Sequence, residues 1–307
     1  MRRTKVHEIG RREFLARAAG AAAGAAAGVG LLGARTAWGD KTPWKMRLSA
    51  SSIDFSKLKI EQACERIAAL GFEAIDIWSP HAKCPHLDDV QARLGPEGLK
   101  ELLAKNNLKL YAFSVYAGGY PKYAELLGKA GGGVAVCGSP GKCPPSELAA
   151  KMKAFIEGLK GELETAEKYN SYIAIENHGE SLLNSLDSFK AFVDNNKNPR
   201  LGLAVAPYHL QAAKESVTEA ISIAGGQLLF FYAWQSGGGL NQLPGHGPAD
   251  FTPWLAALAK IDYKWYVNPF MHGEPAPDEM SKALEKSRDY LKGCHEKAVG
   301  PTMENRK

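Results

Sequence analysis

The sequence predicts an α/β fold, a (β/α)8 TIM barrel in a single domain, and three observations carry that reading. Apolar runs of strand length alternate eight times with amphipathic segments of helix length. Setting aside an N-terminal address leaves 268 residues, close to the ~250 that such a barrel uses. No Gly-rich dinucleotide fingerprint follows the first strand, where SASSIDFSK stands, and no Gly-x-Ser-x-Gly elbow marks an open hydrolase sheet.

Each element has its own signal. The first strand is read at 47–53 (RLSASSI) and the second at 74–78 (AIDIW), with a helical pattern over 60–70 between them. Strand three is 109–115 (KLYAFSV) after a helix over 96–106, and strand four is 133–138 (GVAVCG) after a helix over 121–129. The segment 146–169 starts at Ser146 behind Pro144-Pro145 and sets Leu148, Met152, Phe155, Ile156, Leu159 and Leu163 on one helical face. Strand five is 172–177 (YIAIEN), six is 201–206 (LGLAVA), seven is 228–234 (LLFFYAW) and eight is 265–270 (WYVNPF). Helices are expected over 185–195, 214–224, 253–260 and 277–293, the last two opened by Thr252-Pro253 and by Pro277-Asp278-Glu279. Alternation of this kind implies parallel strands joined by right-handed crossovers.

Residues 1–39 read as an address, leaving 40–307 as the barrel. A polar, basic start precedes Arg11-Arg12-Glu13-Phe14-Leu15, then an Ala/Gly-rich stretch to Gly33 and a small-residue exit at Ala37-Trp38-Gly39. The paired arginines resemble a twin-arginine signal, which implies export, periplasmic or otherwise. The 18-residue apolar core is marginal in length and too weakly hydrophobic for a membrane anchor, so no span is expected in the mature form. The address holds seven of the 38 Lys and Arg and two of the 33 Asp and Glu, so the mature chain has 31 of each sign. A net charge of zero gives no support for nucleic-acid binding. Five cysteines are too few for a disulfide scaffold; in an exported protein Cys137 and Cys143, bracketing GSPGK, are the best local pair, and Cys84 is a further staple candidate.

In a (β/α)8 barrel, chemistry collects at the C-terminal strand ends. Those ends hold Asp76, Trp78 and His81; Ser114 and Tyr116; Cys137; and Glu176, Asn177 and His178. Further round come Tyr208 and His209; Tyr232 and Trp234; and Asn268, Phe270 and His272. Glu176 ends a β-branched run on an acid, an amide and an imidazole, which suits delivery of a functional group to the barrel mouth. The competing reading is a solvated strand end.

The motifs GFEAIDIW, AIENHG, LGLAVAPYHL and LPGHGPADFTPWLAALAKIDYKWYV, in this order and at these strands, resemble the xylose isomerase-like TIM-barrel superfamily, specifically its sugar isomerase/epimerase branch. The resemblance implies one divalent cation (Mn²⁺, Mg²⁺ or Zn²⁺) held by Glu, Asp, His and Glu from strands five to eight, and proton transfer next to a sugar carbonyl. Glu176 matches the first ligand. The other three positions carry Ala206, a residue near Tyr232 and, most closely, Phe270, although Pro207 and His209 are kept.

Three readings stay open. A relocated metal would use Glu176 with His209, or with His178 or His272. Metal-independent chemistry on a sugar would use Glu176 as base with His209 and His272 as partners, and needs no cofactor. A barrel without catalysis would keep a carbohydrate-binding mouth. The expected ligand is a small carbohydrate without phosphate, since no arginine or glycine-rich cradle stands at the strand ends. Its contacts would come from Trp78, His81, Tyr116, Asn177, His178, Tyr208, Tyr232, Trp234, His246 and Phe270.

Overall fold

A computed structural model describes residues 43–300. The predicted address at 1–39 therefore lies outside the described residues. Eight parallel strands follow one another in the order β1 to β8: β1 Ser49–Ser51, β2 Ala74–Trp78, β3 Lys109–Ser114, β4 Gly133–Cys137, β5 Ser171–Glu176, β6 Leu201–Val205, β7 Leu228–Ala233 and β8 Val267–Pro269. A parallel bridge from Leu48 to Val267 joins the last strand to the first. The barrel predicted from the alternation is the barrel observed.

Among the described residues eleven α-helices surround it: α1 Ile60–Ala69, α2 His86–Asp89, α3 Gly95–Lys105, α4 Gly119–Lys129, α5 Leu148–Gly158, α6 Lys160–Lys168, α7 Leu186–Asn195, α8 Pro207–Ala212, α9 Val217–Ala224, α10 Thr252–Lys260 and α11 Pro277–Val299. The helix expected over 146–169 is two, broken at Leu159 between Gly158 and Gly161, where helix propensity is weakest. Only Met152, Leu163 and Ala166 of that pair are fully buried. The helix expected over 214–224 begins at Val217, and a short helix that was not expected precedes it. Pro207 opens α8 directly behind β6, and Ser216 restarts the chain by accepting a bond from the Glu219 N–H.

Period-two alternation sorts the side chains into two cores. Ile75, Ile77, Phe113, Ile173, Ile175, Leu203, Val205 and Phe231 face outward under the helices. Ala74, Trp78, Ala112, Val136, Ala174, Ala204, Tyr232 and Phe270 fill the barrel itself. The register slips by one residue at Tyr111 on β3 and at Leu229 on β7, and both extra residues turn into the interior. The two bulges are bonded to each other, the Tyr111 hydroxyl donating to the Leu229 carbonyl at 2.8 Å. On β6, a Cβ at Gly202 would collide with the Gln227 carbonyl, so only glycine lets β6 and β7 close at that point.

The candidate pair Cys137 and Cys143 is not joined. All five cysteines are free, and the 140–142 loop is instead tied to 180–182 by main-chain bonds, Leu182 N–H to the Pro140 carbonyl and Lys142 N–H to the Glu180 carbonyl. Cys84 is buried against His86, 3.3 Å from its Nδ1. No helix among the described residues is long and apolar enough to cross a membrane.

Candidate functional site

Glu176 is the last residue of β5, on the same face as Ala174, so its carboxyl enters the barrel mouth. It is 9% exposed, and its Oε2 accepts a 2.5 Å bond from the Tyr116 hydroxyl. Burial pushes its pKa up to about 7; the Tyr116 bond opposes the rise and the nearby Asp76 charge adds to it.

From Tyr116 a hydroxyl chain runs down the barrel. The Tyr116 and Tyr232 hydroxyls are 3.1 Å apart, and Tyr232 lies 3.3 Å from Ser114 Oγ. Ser114 donates to both oxygens of Asp76, at 3.0 and 2.9 Å. Asp76 is 0% exposed and also accepts from Ser51 Oγ at 2.9 Å and from the Trp78 indole N–H at 2.6 Å. Burial lifts it to about 7 against the pull of these donors. Asn268 donates to Ser51 at 3.0 Å, extending the network to β8. Asp54, on the turn after β1, is buried with neither oxygen bonded; burial and the Asp76 charge hold its pKa well above the usual carboxylate range. Among the described residues no lysine or arginine pairs with any of these three acids. A buried carboxyl without a cation retains its proton to higher pH.

The expected aromatic lining is there, but its rings cover one another. Trp78 stacks on Phe270 with centroids 5.2 Å apart, and Trp234 stacks on Tyr208 at 4.4 Å. Trp78, Tyr232, Trp234 and Phe270 are each 2% exposed or less, so in this arrangement they close the mouth and present no open face to a sugar. The accessible groups are half-buried Tyr116, Tyr208 and His209, with exposed His81, His178 and His272. The His178 and His209 rings lie 4.2 Å apart, and both His209 and His272 meet the edge or face of Trp234 at 5.1 Å. Burial holds His209 down to about 4, with further lowering from His178 and His272. The His272 ring, though the residue is exposed, is partly covered by Trp78, Trp234 and Phe270, and that desolvation lowers it as well. Both imidazoles are therefore neutral at neutral pH.

Two residues expected at the sugar have structural partners instead. Asn177 is buried, its amide accepting from Ala206 N–H at 2.7 Å and donating to the Ala206 carbonyl at 3.1 Å, which clamps the ends of β5 and β6 together. His246 Nε2 lies 3.1 Å from the Ala283 carbonyl on α11, so that ring is held to the outer helix layer. In the other direction, sequence reasoning set Asp76 and Ser114 at the strand ends without giving them a role, and did not single out Gln242. Gln242 accepts from the Trp234 indole at 2.9 Å and donates to the His272 carbonyl at 2.8 Å, fixing the rim. Asp76 had a usable signal: in AIDIW it alternates with Ile75 and Ile77 on the face that Trp78 shares.

The residues at the strand-end positions do not fit a divalent cation. Ala206 has no donor atom, Phe270 is stacked on Trp78, and the Tyr232 hydroxyl is committed to Ser114 and Tyr116 with its ionisation pushed far above the ordinary value by burial. Glu176 bonds Tyr116, whereas His209 packs on His178 and Trp234, so the pair expected to share a metal is engaged separately. Among the described residues no group of three or more His, Cys, Asp or Glu side chains is gathered to hold a metal ion.

A family profile described as xylose isomerase-like TIM barrel matches residues 64–294. No curated protein matches the chain. Solved structures do. A xylose isomerase-like TIM barrel/4-hydroxyphenylpyruvate dioxygenase fusion protein superposes with a TM-score of 0.61 at 16% identity, over 83% of this chain and only 43% of its own length. The 3-keto-D-glucoside 4-epimerase YcjR from E. coli gives 0.61 at 15% identity, over 80% of this chain and 100% of that one. The IolI protein, solved with a zinc atom bound, gives 0.63 at 17% identity, over 83% and 100%. At these identities the likeness is one of fold.

Proposed function

The chain belongs to the xylose isomerase-like TIM-barrel family, and from that premise we propose that it moves a proton at the carbon beside a carbonyl in a non-phosphorylated sugar or keto-glycoside. The observation that carries this reading is Glu176: a mouth-facing carboxyl, without a cationic partner among the described residues, whose pKa is pushed up to about 7. A group poised near neutrality can both take and return a proton. Burial raises the carboxyl, so the proton-accepting form is the minority at mildly acidic pH and predominates above about 7.

His209 and His272, kept neutral, supply ring N–H groups to a developing oxyanion, the role in which neutral imidazole serves best. His81, His178 and Tyr208 stand at the rim for sugar hydroxyls. None of the groups converging on Glu176 is Arg or Lys, which favours an uncharged substrate over a phosphorylated one. No step is assigned to a metal, because the donor set at the strand ends does not fit one. Reading residues 1–39 as a twin-arginine signal places the activity outside the cytoplasm.

The closed aromatic mouth favours a second reading, a barrel that binds carbohydrate without turning it over. One experiment separates the two. The mature protein is incubated in D₂O with a panel of ketoses and keto-glycosides, and ¹H NMR follows loss of the proton beside the carbonyl. Exchange that disappears in Glu176→Gln supports the enzyme. Line broadening of a sugar with no exchange supports the binding barrel, and exchange that survives in Glu176→Gln removes Glu176 from the chemistry.

A further inference from the structure

The hydroxyl chain can be counted in hydrogens. Four links join Asp76 to Ser114, Ser114 to Tyr232, Tyr232 to Tyr116 and Tyr116 to Glu176. Each hydroxyl carries one hydrogen to donate, so the three hydroxyls supply three. With both carboxyls ionised, one link has no hydrogen. One added proton fills all four, and it can do so in either direction. Held by Asp76, it orients every donor toward an ionised Glu176; held by Glu176, it orients every donor toward an ionised Asp76.

We propose that Asp76 and Glu176 share a single proton across Ser114, Tyr232 and Tyr116, and that Asp76, which touches no substrate, thereby sets whether Glu176 faces the mouth as an acid or a base. This deepens the reading of Glu176 as the proton carrier and rests on it for its functional meaning. The exchange is balanced. The Asp76 O–H breaks as its proton bonds to Ser114 Oγ, the Ser114 proton passes to Tyr232, that of Tyr232 to Tyr116, and that of Tyr116 to Glu176 Oε2. The negative charge moves from Glu176 to Asp76 and nothing else changes. Asp76 also accepts from Ser51 and the Trp78 indole, two donors outside the chain that hold its charge whenever the proton is on Glu176. Such a pair titrates as a unit.

The arrangement also accounts for what fills the barrel. Tyr232 is the middle link, is 0% exposed, and has its hydroxyl bonded only within the chain. A phenylalanine there would fill nearly the same space and break the path.

Infrared titration of the mature protein reads the shared proton without any substrate. In the native protein protonated-carboxyl C=O absorption is expected to persist to neutral pH. Buried Asp54, which faces Asp76, contributes a component that remains in every variant. The component assigned to the shared proton should vanish or shift in both Glu176→Gln and Asp76→Asn. Tyr232→Phe changes no charge, yet should lower the midpoint of that band by about one pH unit, a tenfold loss of proton affinity, because the added proton no longer completes a chain. Tyr116→Phe, at a half-buried position, should do the same, and serves if Tyr232→Phe fails to fold. A band that titrates at the native midpoint in either Phe variant overturns the proposal. The two readings fail separately. A shifted band with no sugar exchange in any substrate refutes the enzyme, and Glu176-dependent exchange with an unmoved band refutes the shared proton.

Discussion

Replacing Asp76 by asparagine removes a titration that couples the barrel's stability to pH. The native carboxyl is fully buried and raised by burial from its ordinary 3.8 to about 7. A carboxyl that holds its proton more tightly folded than unfolded contributes fully below the unfolded value, and the contribution is lost as pH rises through the folded value. At about 1.4 kcal/mol per pH unit, the rise from 3.8 to about 7 corresponds to ~4 kcal/mol. Asparagine keeps the shape and does not titrate. The unfolding free energy of the native protein minus that of the variant should therefore fall by ~4 kcal/mol between about pH 4 and about pH 8. His209 acts in the opposite sense: its imidazole is held down to about 4, so it contributes above the unfolded value and loses that contribution as pH falls toward 4. It is common to both proteins and cancels in the difference. Urea denaturation at a series of pH values measures the gap. A gap that stays constant across this window would refute a proton held in the buried network that Asp76 shares with Glu176.

Other consequences are more local. Asn177→Ala should cost about 1–3 kcal/mol in urea unfolding, because it strands the buried Ala206 N–H that the amide pairs, while the Ala206 carbonyl keeps the His209 N–H. Dialysis of the protein against a chelator should leave both its melting temperature and any sugar exchange unchanged, since Ala206, Tyr232 and Phe270 offer no site for a hard or borderline cation; mass spectrometry of the undialysed protein checks the metal content directly. Replacing both Arg11 and Arg12 by lysine should retain the precursor in the cytoplasm, which cell fractionation reads, and secretion of the double variant would reject the twin-arginine assignment.

The fold was legible because both periodicities are clean. The eight apolar runs became the eight strands, and β5 ends on Glu176 where YIAIENHGE changes character. β1 and β8 are shorter than expected: Ser52–Phe55 already turns as a 3-10 helix, and Pro269 closes β8. Strand alternation also told which face each aromatic residue shares. It could not tell which ring would cover which, because Trp78, Trp234 and Phe270 meet through space from β2, β7 and β8. The same limit hid the hydroxyl chain. Ser114 and Tyr232 are ordinary strand residues until the barrel closes and sets their oxygens 3.3 Å apart, 118 positions from each other in sequence. The contact of His246 was hidden for a related reason, since its partner Ala283 lies on a helix 37 residues away.

The most direct test of the central claim is the pH dependence of deuterium exchange beside the carbonyl of whichever sugar proves active, in the native protein and in Glu176→Gln. The native rate should rise with pH to a plateau with a half-maximum near 7, as the Glu176 carboxyl ionises, and the glutamine variant should show no exchange at any pH. An unchanged profile in the variant, or a native rate that is flat through neutrality, would contradict Glu176 as the group that moves the proton.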